Sequence, residues 1–224
     1  NYSDIENCDL VALAEPRSKL RQLVADHYGF DRTYEDHTAL LTDPSVDAVV
    51  VLVPRTETGP IVLECLNAGK HVFTEKPMAA TAEQAERLAE AASANGVTFT
   101  VGFMKRHDPG VALAKSVIAE VESTGELGPM IYARAHCFGG DGYGGAKPRF
   151  ATDESLMSVG DRWPMAPSWL TGDDPRDQYQ KYTNAYCHDV NLIRYLTGQT
   201  PRVIHASLEN VAGRIVTLEF EGFN

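Results

Sequence analysis

The chain has 224 residues, 31 acidic against 20 basic, and a formal charge of −11 at neutral pH. With 43% hydrophobic content it carries enough apolar side chain for a sizeable core. Its acidity disfavours nucleic acid and anionic membrane surfaces as partners. The four cysteines, Cys8, Cys65, Cys137 and Cys187, are scattered with no CxxC pair, so neither a disulfide framework nor a metal site is expected. No run approaches the roughly 18 apolar residues of a membrane span, and no charged-then-apolar leader opens the chain. The expected address is the cytoplasm.

Asp9 to Ala14 is a short apolar run that reads as a strand, and Pro16 opens a helix with Leu20, Leu23, Val24 and His27 on one side and Gly29 as its stop. Asp47 to Val53 is a continuous β-branched run, the pattern of a strand covered on both faces as in a parallel sheet. A helix is predicted over Pro60 to Ala68, stopped by Gly69, then a strand over His71 to Thr74. Thr81 and Gln84 form a capping-box pattern for a helix with Ala85, Leu88, Ala89 and Ala92 inward, ending at Gly96. Val97 to Phe103 is a fourth strand. This alternation predicts right-handed crossovers and an α/β, doubly wound parallel sheet.

The second half follows a different pattern. Asp108-Pro109 caps a helix carrying Leu113, Val117 and Val121 and stopping at Gly125. Met130 to Phe138 alternates, as a half-exposed strand of a mostly antiparallel sheet does. From Gly139 to about Lys181 no long period is visible, and a loop of that length inside a domain is usually functional or mobile. "GGDGYGG" (Gly139 to Gly145) follows a strand but opens no helix, so it reads as a flexible turn rather than a phosphate loop. A helix is predicted over Asn184 to Leu196, stopped by Gly198, and Ile215 to Phe220 is a last alternating strand.

Two places carry candidate chemistry. Ligands of an open parallel sheet bind beyond the carboxyl ends of its strands, where Glu75, Lys76 and Pro77 fall. Pro77 pushes Lys76 into an extended conformation and so presents its side chain from a fixed backbone; either isomer of the Lys76-Pro77 bond suits the sequence. Surface charges at a strand end would look the same. On the helix, Asn184, His188, Asn191 and Tyr195 are spaced four, three and four apart and share one stripe, opposite Val190, Leu192, Ile193 and Leu196. His188 suits either a hydrogen-bonded structural role or a titrating one.

The stretch "DPSVDAVVVLVPRTETGPIVLECLNAGKHVFTEKPMAATAEQAERLAEAASANGVTFTVGFMKRHDPG" (Asp43 to Gly110) resembles the Gfo/Idh/MocA family, the glucose-fructose oxidoreductase and inositol dehydrogenase group. The AGKHVxxEKP signal is its specific part, and the resemblance spans the chain, weakest between Gly139 and Lys181. It implies a Rossmann domain followed by an α/β domain with an open-faced, mostly antiparallel sheet. Residues 1–104 would be the dinucleotide-binding domain and 105–224 the substrate-binding and oligomerisation domain, with homo-oligomers formed through the open sheet face. It further implies NAD or NADP as cofactor and a sugar, cyclitol or related polyol as substrate. Lys76 is then the lysine near nicotinamide and substrate, Pro54 lines the cofactor site, and His188, in His-x-x-Asn followed by Tyr-Leu-x-Gly, is the acid or base. Asn184 would hold the substrate hydroxyl, with Glu75, Pro77 and Arg106 as further cofactor candidates. Trp163 and Trp169 are candidates for a flat wall against a sugar ring, or for ordinary packing.

The sequence departs from the family pattern in several places. Asn184 and Asn191 stand where the family has aspartate, and Thr58 where it has histidine. Asparagine orients a hydroxyl but takes no proton, which leaves a non-catalytic sugar or nucleotide sensor as the alternative to a dehydrogenase. No G-x-G-x-x-G turn occurs before the first strand, and the end at Asn224 falls short of a full open-faced sheet, so the expectation is a chain truncated at both ends. Asp9 to Ala14 then corresponds to the family's second strand. Glu15 would hold the ribose hydroxyls, which favours NAD, while Arg17 and Lys19 suit a 2′-phosphate.

Overall fold

The computed structural model describes residues 2–128, 130–135, 150–158, 160–207 and 215–220. They fall into two units. The first comprises the described residues within 1–74, 82–100 and 141–164, the second those within 75–81, 101–140 and 165–224.

In the first unit, β1 (Ala12–Ala14) pairs in parallel with β2 (Arg32–Tyr34), and β3 (Ala48–Val51) pairs in parallel with β4 (His71–Thr74), with β5 (Phe99–Val101) on the far side of β4. The helices α1 (Ser18–Tyr28), α2 (His37–Leu41), α3 (Arg55–Asn67) and α4 (Ala82–Ala94) alternate with these strands. This is the α/β alternation with parallel strands that the sequence predicts, though among the described residues the strands are hydrogen-bonded as two sheets, β1-β2 and β3-β4-β5, rather than as one. The core lies where α3 and α4 meet β3 and β4, with Val51, Val62, Cys65, Leu66, Val72 and Leu88 all buried. Each such side chain contributes about 1.5–3 kcal/mol by leaving water. Burial also pushes the Cys65 thiol up to about 12, which makes it an inert packing group.

Several local expectations need correction. Among the described residues β3 is not covered on both faces, since Val50 and, just past the strand, Leu52 are exposed while Val51 is buried. Leu23 and His27 of α1 and Ala89 of α4 also face outward. β2 and α2 carry no apolar period, and only Asp36 announces α2, its carboxylate accepting from the amides of Thr38 and Ala39.

The largest shift of a boundary in this unit is in α3, which starts five residues before Pro60. A proline in the second turn removes the N–H that would bond to the carbonyl four residues back. That carbonyl, Thr56 O, instead accepts from the backbone N–H of Trp163 at 2.8 Å. The Trp163 ring then lies so close to Gly59 that an added Cβ would sit 2.3 Å from its Cε3.

The second unit holds α5 (Pro109–Thr124), α6 (Asp173–Thr197) and an antiparallel pair, β6 (Arg202–Ser207) with β7 (Ile215–Glu219). Asp108 caps α5 by accepting from the amides of Gly110 and Val111, and Gly125 ends it at φ 68°. α6 begins at Asp173, eleven residues before the predicted start, and Gly198 ends it at φ 71°. None of its residues is fully buried, so Val190, Leu192, Ile193 and Leu196 are half-buried rather than core. Residues 130–135 form no regular element, against the strand expected there; the rest of that strand and the glycine-rich turn lie outside the described residues. No described helix is long and apolar enough to cross a membrane.

Candidate active site

β4 ends at Thr74, fully buried, and the chain then turns through Glu75, Lys76 and a cis bond to Pro77. Lys76 reaches α6, where its Nζ donates to the backbone carbonyl of Asn184 at 2.8 Å and to Asn184 Oδ1 at 3.3 Å. Two of the three ammonium hydrogens are thereby engaged, and among the described residues one remains. Glu75 is exposed and accepts from the Lys76 amide.

The polar stripe of α6 meets a row of cations. Arg106 Nε donates to Asn191 Oδ1 at 2.7 Å, and its guanidinium lies 5.3 Å from the centre of the Tyr195 ring. Lys115 of α5 donates to the Tyr195 carbonyl, and its Nζ stands 4.4 Å from the same ring centre. Lys105 pairs with Asp189 at 3.7 Å. Of the four stripe residues, His188 alone meets a ring edge-on instead of a cation, that of Phe103, with centroids 6.3 Å apart. Its Nδ1 is buried and has no hydrogen-bond partner among the described residues. Burial, then the charges of Lys76 and Lys105, hold His188 below its ordinary value near 6.5. The imidazole is therefore neutral at pH 7 and able to accept a proton.

Glu15, Arg17, Pro54 and Trp163 belong to the first unit. Glu15 follows β1, and its Oε1 accepts from Arg17 Nε at 2.7 Å and from the Arg17 amide at 3.0 Å, while Oε2 accepts from Arg17 Nη2 at 2.9 Å. Burial opposes ionisation of Glu15, but these bonds outweigh it and lower its pKa. Among the described residues three of the roughly four acceptor sites of the carboxylate are occupied, which leaves one for a ribose hydroxyl. Pro54 precedes α3, and its carbonyl accepts from Glu57 N, Thr58 N and Thr58 Oγ1. Both residues thus stand at the carboxyl ends of parallel strands, the position that suits a dinucleotide. Trp163 packs on Gly59 with the Arg87 guanidinium 5.2 Å from its ring centre, and Trp169 is exposed.

Phe103, Lys105 and Lys115 were not among the sequence candidates. Lys105 and Arg106 form a basic pair just past β5, a signal read only for Arg106, whereas Lys115 sits on α5 with no signal at all. Asp153 and Glu154 were also missed, in the stretch without visible period. Among the described residues no group of three His, Cys, Asp or Glu side chains is arranged to hold a metal ion.

Residues 2–103 match the model of the oxidoreductase family with an NAD-binding Rossmann fold, GFO_IDH_MocA. A scyllo-inositol 2-dehydrogenase (NAD(+)) of Bacillus subtilis is 32% identical over 130 residues, 58% of this chain and 37% of that protein. An inositol 2-dehydrogenase of Acidothermus cellulolyticus is 32% identical over 212 residues, 94% of this chain and 51% of that protein. Among solved structures, apo scyllo-inositol dehydrogenase from Lactobacillus casei matches with a TM-score of 0.64 at 20% identity, over 93% of this chain and 53% of that one, a likeness of fold. The chain spans about a third to a half of the length of these curated relatives.

Proposed function

The chain belongs to the Gfo/Idh/MocA oxidoreductase family through residues 2–103, and from that premise we propose that it takes part in NAD-dependent oxidation of a CH–OH group on a cyclitol or sugar, and in the reverse reduction. The observation that carries this reading is a neutral histidine beside a held cation: His188 with its pKa lowered, and Lys76 anchored on Asn184 one helical turn away.

A bound nicotinamide dinucleotide supplies the hydride acceptor, and the residues suited to holding it are Glu15 and Pro54. His188 takes the hydroxyl proton. With Nδ1 buried, the nitrogen assigned to that exchange is Nε2. Lys76 gives its third hydrogen to the substrate oxygen as negative charge grows there, a contact of the kind whose loss costs about 10²–10³ in turnover. Proton acceptance by His188 contributes about 10²–10⁴. Lys76 is thus the donor to the substrate oxygen and His188 the base.

The replacement of aspartate by Asn184 does not argue for a non-catalytic sensor. The carboxamide oxygen and the backbone carbonyl both accept from Lys76, so the ammonium is held without a carboxylate. The named relatives are dehydrogenases of inositols, which is the reason for putting cyclitols first among substrates. The test is NADH formation from NAD+ with a panel of inositol stereoisomers and hexoses. Turnover that disappears in His188→Asn while NADH binding persists supports the reading. Saturable NADH binding with no turnover on any member would sink it.

A further inference from the structure

The turn between β1 and α1 carries Glu15, Arg17, Ser18 and Lys19, and a dinucleotide-binding sheet reads the adenosine ribose at this place. On the proposed function, upon which this inference rests, a phosphate on the ribose 2′-oxygen would look here for amide N–H groups, a hydroxyl and a cation. The chain already supplies an anion of its own to that donor set, from a segment far away in sequence. Glu154 Oε1 accepts from Ser18 Oγ at 3.2 Å and from Lys19 N at 3.1 Å. Its Oε2 accepts from Leu20 N at 3.1 Å and from Thr152 Oγ1 at 2.9 Å. Asp153 holds the Lys19 ammonium at 2.8 and 3.2 Å. Arg17, the remaining cation of the turn, is neutralised by Glu15.

We infer that Glu154, seconded by Asp153, is a specificity-determining residue that excludes 2′-phosphorylated dinucleotides, so that the site takes NAD(H) and rejects NADP(H). The argument is one of charge and of donor count. A phosphate monoester brings about −1.5 to −2 charges, and in this turn it meets Glu15, Asp153 and Glu154 with Arg17 and Lys19 already paired, and with Arg21 of α1 held by the Glu15 carbonyl and Glu35. The amides at the start of α1 that would receive it are occupied by a carboxylate. That carboxylate is ionised at any working pH: burial would raise Glu154, but the Lys19 and Leu20 amides and the Thr152 and Ser18 hydroxyls outweigh it and hold it down to about 2. A dinucleotide with a free 2′-hydroxyl needs none of these donors. It needs only the open acceptor site on Glu15.

The experiment is a fluorescence titration with NADH and with NADPH of the whole chain, of Asp153→Asn, and of the double variant Asp153→Asn/Glu154→Gln. The expected wild-type preference is roughly ten-fold or more for NADH. Asp153→Asn frees Lys19 without touching the helix amides, and it should narrow the preference several-fold through tighter NADPH binding. The double variant should bring the two dinucleotides to about parity, with NADH affinity kept within about two-fold. Equal wild-type affinities overturn the inference, as does an NADH/NADPH ratio that neither variant moves. Should the double variant lose its fold, Asp153→Asn decides alone, because that side chain is exposed and caps nothing. A wild-type chain that binds neither dinucleotide refutes the proposed function as well, and is told apart by the absence of any NADH signal.

Discussion

α3 and α6 are both long helices of this chain and are built for opposite ends. α3 has 13 residues, seven of them buried, among them Val62, Cys65 and Leu66 with no exposed surface. α6 has 25 residues and none fully buried. Polar groups on α3 serve attachment: Glu57 accepts from Ser158 Oγ at 2.9 Å and pairs with Arg162 at 3.4 Å. Those on α6 hold a row of cations and leave one ring nitrogen, His188 Nδ1, unpartnered among the described residues. A helix closed in on itself by packing carries stability, whereas one kept half open can carry groups that must exchange protons.

Variants on the two helices should therefore fail in different assays. The largest effect is expected from His188→Ala, with turnover lower by about 10²-fold or more while NADH affinity and the urea midpoint stay put. The pH profile gives its sign. Because His188 titrates below its ordinary value of about 6.5, oxidation should keep its rate as pH falls through 6.5 and lose it only in more acid solution, as the imidazole takes a proton. On α3, Leu66→Ala should lower unfolding free energy by about 2–5 kcal/mol in urea titrations, with turnover per folded molecule unchanged. Gly59→Ala forces a methyl against the Trp163 ring, and a loss of about 1–3 kcal/mol is expected, together with altered Trp163 fluorescence. A drop in turnover from either α3 variant without a change in stability would break the comparison.

The smallest effect concerns acid. Asp43 accepts from Ser45 Oγ at 2.7 Å, Ser45 N at 2.9 Å, Arg32 at 2.8 Å and Tyr34 OH at 3.0 Å, with the Ser45 bonds foremost in holding it well below the usual carboxylate range. Its folded pKa is depressed, so the stability it contributes is present above the unfolded value of about 3.9 and disappears as pH falls below it. Asp43→Asn should flatten that part of the stability curve, read from urea midpoints between about pH 5 and 2. An unchanged slope would remove Asp43 from the account.

The sequence was most informative where one physical signal dominated. β4 lies over His71 to Thr74 as predicted, because a β-branched and aromatic run sits between Gly69 and Pro77. α5 starts behind its Asp108-Pro109 cap and stops at Gly125 for the same kind of reason. The early turns of α6 were illegible. They pack too loosely to need an apolar period, and only Asp173-Asp174-Pro175 marks their start. α3 was misread through its own proline, which ordinarily opens a helix and here sits within one. At the candidate site, Lys76, Asn184 and His188 were legible from spacing and resemblance, and the structure brings Lys76 onto Asn184. The partners in the 150–164 stretch were not legible, since long-range contacts made by single side chains leave no periodic trace.

The bond from Trp163 N to Thr56 O joins residues about a hundred positions apart, and this bears on how the chain is made. Synthesis proceeds from the amino end, so the α3 carbonyl that Pro60 leaves without a helical donor has no Trp163 to meet until all of α5 has been synthesised. At about 5–20 residues per second, that interval is about 5–20 s. The first unit is thus finished late, after part of the second exists, and a nascent chain halted just past α4 would carry α3 with its first turn still open to water.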